Sequence, residues 1–261
     1  MKRSLFFIFI QIVMLSVPRF VFAWGRGGHE IVAEIAFHYL DDATKDRVQH
    51  YLKKMSIEDA ANWMDDMRSN TFYDYMKPWH YLNIEKDSVY TPNAKERDIL
   101  IILNSAIFEL MHKDSLKLKD KGVRFDLYLL FHLMGDMHQP LHVGYGSDKG
   151  GNTIDVSYIY KVYHTNLHKV WDFEIIDSKK ITLDDCLKLH DCLTTEDIVN
   201  IEKIKPMDWM IQSRALLDSV YDFRDNFIEQ SYVDRNAIVI ERQLLYAGLR
   251  LASVLKQAFK E

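Results

Sequence analysis

The sequence predicts a mostly α protein: one compact multi-helix domain carrying a small β-hairpin. Three observations predict it. Apolar residues recur at helical spacing through most of the chain. One segment, 153–163 (TIDVSYIYKVY), alternates instead and is rich in Val, Ile and Tyr. Eight of the ten glycines (Gly25, Gly27, Gly28, Gly135, Gly144, Gly146, Gly150 and Gly151) lie close to a few polar motifs, while the long helical patterns are almost free of them. Glycine concentrates where backbone must turn tightly or approach closely, so that bunching points to a built site.

The chain begins with Lys2 and Arg3 ahead of an apolar stretch from Leu5 to Val17, followed by Val21 and Ala23 at the positions that precede a signal-peptidase cut. The stretch is too short for a membrane span of about 20 residues. Residues 1–23 are therefore expected to be a secretory signal, with a buried N-terminal helix as the alternative. Cleavage would make Trp24 the mature N-terminus of an exported protein, periplasmic or secreted. No linker, low-complexity stretch or repeat divides residues 24–261, which read as one domain. Ile31, Val32, Ile35 and Ala36 form one helical stripe and Val48, Tyr51, Leu52 and Met55 another. Longer helices are expected over 95–112, 124–137, 208–227 and 236–259, with the hairpin, or a single strand and its return, between the second and third. Cys186 and Cys192, six apart, can bridge only if the segment between them turns, so a disulfide and two free thiols are both open.

The polar motifs carry the chemistry. In FHLMGDMHQPLHVG, His132 and Asp136 are four apart and share a helical face, and Pro140 ends the helix so that His142 arrives from a loop. A charged Asp on so apolar a helix is costly unless a cation or donor neutralises it. NLHKVWD repeats the four-residue pair with His168 and Asp172, WMDDMR contributes Asp65, and WHYLN contributes His80. Taken singly, Asp65 and Arg68 also fit an exposed intrahelical ion pair, His80 fits a satisfied core histidine, and Asp66 is a rival carboxylate that reads better as solvated. Together they are too many ligands for one ion, and imidazole with carboxylate but no thiolate favours zinc or another first-row metal in an open, catalytic site. At the mature start, WGRGGHE, a free Trp24 amine and its own carbonyl oxygen can chelate a metal alongside His29. Signal removal would thus create a ligand. His38, His50, His112, His138, His164 and His190 lack such partners and read as surface, core or supporting residues, His138 being the most exposed to revision.

Charge narrows the partners. Removing the signal removes Lys2, Arg3 and Arg19 and no acid, leaving 30 basic against 38 acidic side chains and a formal charge of −8. Such a chain lacks the general basic field of nonspecific duplex binders, so a nucleic acid must be gripped locally.

These motifs, WGRGGH, WMDDMR, WHYLN, HLMGDMHQPLH, DKGGN, NLHKVWD and QLLYAGLRLA, resemble in order and spacing the trinuclear-zinc, single-strand-specific nucleases that also act as 3′-nucleotidases, the S1 and P1 type. The resemblance runs from Trp24 to about Leu255 and implies the fold shared with zinc phospholipase C. It implies three Zn2+ ions: one on Asp65, His80, His132 and Asp136, one on His142, His168 and Asp172, and one on the Trp24 amine and carbonyl with His29 and shared Asp136. It further implies attack on phosphorus by a water or hydroxide between the first and third ions, a leaving 3′ oxygen at the second, and Arg68 on the transition-state charge. Asp65, Arg68 and Asp136 are thus the expected catalytic residues, and single-stranded DNA, RNA and 3′-nucleotides the expected substrates. The family's base pocket pairs an aromatic with an acidic residue after the zinc histidine. Here the positions hold Tyr81 and Asn83, an amide where a carboxylate is usual. Two alternatives are a zinc phospholipase C, disfavoured because its second-zinc motif typically ends in glutamate rather than Asp172, and a secreted zinc-binding protein without catalysis, whose marks would be a broken ligand set or a missing Arg68.

Overall fold

The structure, a computed structural model, describes residues 24–93 and 97–260. The expected signal at 1–23 and the first two residues of the helix expected over 95–112 lie outside the described residues. Five helices open the fold: α1 (Arg26–His38), α2 (Asp42–Leu52), α3 (Ile57–Asp66), α4 (Ile99–Met111) and α5 (Asp120–His138). Side-chain caps set several starts. Asp41 accepts from Thr44 N, Ser56 from Asp59 N and Asp98 from Ile101 N, each satisfying an amide that has no partner inside its helix. The Asp98 cap explains why α4 begins at Ile99.

α5 is the central element. Every residue from Leu129 to His138 is buried, and the helix packs against α4, α12, α3 and α1. It stops at His138 because Pro140 follows, and the 3-10 turn Pro140–Val143 takes the chain on. Between α3 and α4, a short 3-10 turn (Met67–Ser69) leads to a longer one, Thr71–His80, capped by Asn70 and followed by extended backbone. There Leu82 N donates to His142 O (2.9 Å) and Ile84 N to Gly144 O (3.1 Å), joining the two loops that carry His80 and His142.

The hairpin is present. β1 (Asp155–Tyr158) pairs antiparallel with β2 (His164–Asn166), Val156 facing Thr165, so the return strand falls just past the alternating segment. A third strand not expected from sequence, β3 (Phe227–Ile228), joins the other edge of β1 in parallel. After β2 come α6 (Leu167–Lys169), a π-helical turn (Val170–Glu174), α7 (Ile175–Lys179), α8 (Leu183–His190) and α9 (Thr195–Ile201). The last two open with capping boxes, Thr182 with Asp185 and Thr194 with Asp197.

The helix expected over 208–227 is not continuous. It divides into α10 (Pro206–Arg214) and α11 (Leu217–Val220), after which Asp225 and Asn226 adopt positive φ and deliver β3. Trp209, Met210, Leu217 and Val220 are all buried, so the apolar period continues across the break and conceals it. At the end of α10 the Arg214 guanidinium donates to the carbonyls of Val143, Gly144 and Ile84, tying this point of the chain to the loops that carry His142 and Tyr81. α12 (Gln230–Ala258) closes the fold, beginning six residues earlier than expected and packing across α1, α5 and α8. Cys186 is buried on α8 and Cys192 exposed beyond it, both as free thiols. Residues 187–190 between them continue α8, and burial pushes the Cys186 thiol up to about 12. No helix among the described residues is long and apolar enough to cross a membrane.

Candidate metal centre

Three groups of buried His and Asp side chains converge where α5, α3, α1 and the two loops meet. Asp65, His80 and His132 form one, His29, His132 and Asp136 a second, and His142, His168 and Asp172 a third; within each, ligand atoms lie within 4.8 Å of one another. The i, i+4 register of α5 aims His132 and Asp136 the same way, with His132 Nε2 3.3 Å from Asp136 Oδ2. Asp65 comes from the last turn of α3. His80 ends the 3-10 segment and places Nδ1 3.0 Å from Asp136 Oδ2. His29, on the first turns of α1, lies with Nε2 3.3 Å from Asp136 Oδ1, its ring stacked on His132 at 4.1 Å. Gly135 permits that approach, since a Cβ there would meet His29 Nδ1 at 2.6 Å. Asp136 therefore sits among four imidazoles, the fourth being His142, 3.9 Å away.

The third group is held differently. His168 Nε2 lies 3.3 Å from Asp172 Oδ2 across the π-helical turn, and His142 Nε2 lies 3.9 Å from Asp172 Oδ1. Backbone carbonyls orient the rings: His132 Nδ1 bonds to Ala61 O, His142 Nδ1 to His80 O and His168 Nδ1 to Gly150 O, at 2.6 to 2.7 Å. A ring that donates from Nδ1 presents the Nε2 lone pair to the centre. Gly150 (φ 61°) supplies its carbonyl from a left-handed turn packed so closely that a Cβ would clash with Leu141 O. Sequence reasoning missed Gln139, which donates to Asp172 Oδ1 (2.7 Å) and accepts from Leu141 N (2.6 Å). Its only sequence signal was its place in HQPLH.

The protein's own groups set the charge states. Burial holds His80 down to about 4 and His168 to about 3, and lowers His29 and His142. His132 moves the other way: burial disfavours its charge, but Asp136 and Asp65 outweigh that. Asp136 is driven well below the carboxylate range despite burial, chiefly by His132 and His142. Burial raises Asp172 well above it, although the Gln139 amide opposes.

The donors fit a divalent cation. Asp65 Oδ2, Asp136 Oδ1, Asp172 Oδ2, both nitrogens of His29 and His142 Nε2 are buried without a hydrogen-bond partner. Each such atom costs about 1–3 kcal/mol if left unsatisfied, and so many converging on three points is otherwise unexplained. The set, imidazole and carboxylate without thiolate, suits zinc and its first-row neighbours.

A family model described as S1/P1 Nuclease matches residues 24–260. The chain belongs to the S1/P1 nuclease family. Among individual relatives, Endonuclease 2 of Arabidopsis thaliana is 29% identical, covering 96% of this chain and 95% of its own length. Nuclease S1 of Aspergillus oryzae is 24% identical over 94% of this chain and 95% of its own length, and Nuclease P1 of Penicillium citrinum 31% identical over 57% of each.

In this S1/P1 nuclease fold the remaining expected residues fall as follows. Arg68 Nε lies 2.8 Å from Asp65 Oδ1 at the edge of the centre. Asp66 points away and pairs with Arg26 (2.6 Å) at the surface, as a solvated carboxylate would. Trp24 is fully buried, its side chain close to His29 and Gly135, and the adjoining Gly25 N donates to Asp172 O (2.6 Å). Tyr81 and Asn83 are exposed beside His80. His138 turns from the centre, receiving Arg250 at Nε2 (2.6 Å) and bonding Met134 O through Nδ1 (2.7 Å). His38, His50, His112 and His164 are exposed and His190 partly so.

Proposed function

We propose that this chain is a zinc-dependent endonuclease hydrolysing phosphodiester bonds of single-stranded DNA and RNA to 5′-phosphate products, with 3′-nucleotidase activity at the same centre. The observation that carries the reading is Asp136, buried among four imidazoles and flanked by two further ligand groups, in a chain whose family match covers the whole centre. Asp65, His80, His132 and Asp136 would hold one Zn2+, His142, His168 and Asp172 a second, and the Trp24 amine and carbonyl with His29 and Asp136 a third. Residues 1–23 would be a signal whose removal frees that amine in an exported protein.

Bound zinc would supply Lewis-acid polarisation of the phosphate and a water whose pKa falls towards about 7. The chain's residues do the rest. Asp65 and Asp136 concentrate negative charge that draws cations into an otherwise apolar interior, and the carbonyl-oriented histidines present their lone pairs in fixed directions. Arg68, at the solvent edge beside Asp65, places a guanidinium where the phosphoryl group gains charge in the transition state. Tyr81 offers a stacking face and Asn83 an amide that both donates to and accepts from base edges. A base must leave a duplex stack to use either, which accounts for preference for single strands.

The test is to assay the mature chain, with its metal content measured, on single-stranded DNA, RNA, a 3′-nucleotide and phosphatidylcholine. Hydrolysis of the first three and not the fourth is expected. Lipid hydrolysis alone would make the chain a phospholipase, and a zinc-loaded but inert chain would make it a binding protein. An extra residue ahead of Trp24 turns its amine into an amide and should remove one zinc together with most activity. Full activity with the extension verified by mass would exclude the Trp24 ligand.

A further inference from the structure

Tyr81 and Asn83 line one part of a cavity of about 930 Å3, whose remaining wall includes Tyr75 and Trp79 of the 3-10 segment, Tyr90, and Arg97 and Asp98 just ahead of α4. That is the upper end of the roughly 300–1,000 Å3 of ligand clefts, with room for more than the one base that stacks on Tyr81. The aromatic wall is braced. Tyr75 is 51% exposed, and its ring makes a T-shaped contact with that of buried Trp79, centroids 5.1 Å apart at 72°. Tyr90 is fixed by its hydroxyl, which donates to Asp98 (2.8 Å).

The charges of the wall are sorted. Glu85 accepts from Ser147 N and Oγ at 2.8 and 3.0 Å. Asp98 accepts from Tyr90 and from Ile101 N. Arg97 is exposed and, among the described residues, has no carboxylate partner. An acidic chain with an exposed guanidinium, which has no carboxylate partner among the described residues, beside exposed aromatic faces has locally what single-strand grooves use: rings for bases and a cation for phosphate. The cavity is also rigidly placed. Tyr81 follows His80 directly, and Leu82 and Ile84 are hydrogen-bonded to the loop of His142.

We propose that the part of this cavity between Tyr75 and Arg97 is a second nucleotide subsite, which takes the neighbour of the nucleotide held at Tyr81 and Asn83 on the side away from the bond cleaved, its base stacked on Tyr75 and a phosphate against Arg97. The subsite rests on the nuclease reading and extends it. It makes chain length a determinant of turnover: a dinucleotide, with no nucleotide beyond the one at Tyr81, leaves the subsite empty, and longer strands occupy it.

The experiment measures kcat/KM for di-, tri- and tetranucleotides of one base with the parent, Tyr75→Ala and Arg97→Gln, at several salt concentrations. For the parent, the ratio of tetranucleotide to dinucleotide should be roughly tenfold or more, the scale of one stacked base. Tyr75→Ala should bring that ratio towards one. Arg97→Gln should lower it and flatten the plot of log kcat/KM against log salt by about 0.7 for the tetranucleotide, as expected for one lost phosphate contact on a single strand. A parent ratio near one, or the same ratio and salt slope in both variants as in the parent, overturns the subsite while the nuclease reading stands. A parent that cleaves no strand of any length overturns the nuclease reading and the subsite with it.

Discussion

Asp126 and Asp136 ride the same buried helix, α5, and meet opposite fates. Burial raises the pKa of any carboxyl, and Asp126 obeys: with Oδ2 unpartnered and Glu109 adding like charge, it is pushed up to about 7. Asp136 is more deeply buried and yet ionised, because His29, His80, His132 and His142 surround it. Burial alone does not make a metal ligand; what converges on the carboxylate does. The same comparison separates the supports. Around Asp136, helix register and the Gly135 contact place the ligands. Around Asp172, side-chain bonds to loop backbone, from Gln139 to Leu141 N, His142 to His80 O and His168 to Gly150 O, do that work.

Changing Asp136 should break this contrast most severely. Asp136→Asn keeps the shape and removes the charge shared by two ligand groups, so activity should fall by more than the roughly 100- to 1,000-fold seen for one lost electrostatic donor, with more than one metal equivalent lost. Steady-state kinetics and metal analysis on matched, folded samples check this. Arg68→Ala comes next: turnover should fall about a hundredfold with metal content intact, and unchanged turnover would reduce Arg68 to a partner of Asp65. Gln139→Ala sharpens the contrast between the two supports. It should weaken one metal site by roughly 10- to 100-fold and leave the others, as read by competition with a graded chelator; equal weakening of all sites would show that the loop-borne group is not held separately.

The smaller effects lie at the other end of α5 and at the surface. Folded Asp126 keeps its proton up to about pH 7, whereas an unfolded chain releases it near about 4. Stability from this group therefore declines as pH rises between those values and stays reduced above them. Asp126→Asn carries no such charge, so its thermal midpoint relative to the parent should rise between pH 5 and pH 8, by an amount worth at most a few kcal/mol. A midpoint difference independent of pH would show that Asp126 is ionised in the fold. Asp66→Asn, which touches only the exposed pair with Arg26, should alter stability by about 1 kcal/mol or less and activity little.

The ligands on regular helix were legible because spacing alone aims them: His132 with Asp136, and Asp65 with Arg68, meet through one turn of backbone. The long helices α5 and α12 were legible for the same reason, their apolar faces repeating over many turns. What the sequence concealed depends on contacts distant along the chain. Gln139 reaches Asp172 over 33 positions, Arg214 at the end of α10 binds carbonyls 70 to 130 residues away, and β3 pairs with the edge of β1 over two residues. No local periodicity records such partners. The thiols of Cys186 and Cys192 were undecidable from spacing and are separated because α8 runs straight between burial and solvent.

The central claim is that the centre holds three divalent ions, two of which share Asp136 as a ligand in the proposed assignment. The most direct test is to purify the mature chain without added chelator and count metal per chain by mass spectrometry, in the parent and in Asp136→Asn. The parent chain should carry close to three zinc and the variant fewer than two; a single tightly held ion in the parent, retained in Asp136→Asn, would contradict the trinuclear centre.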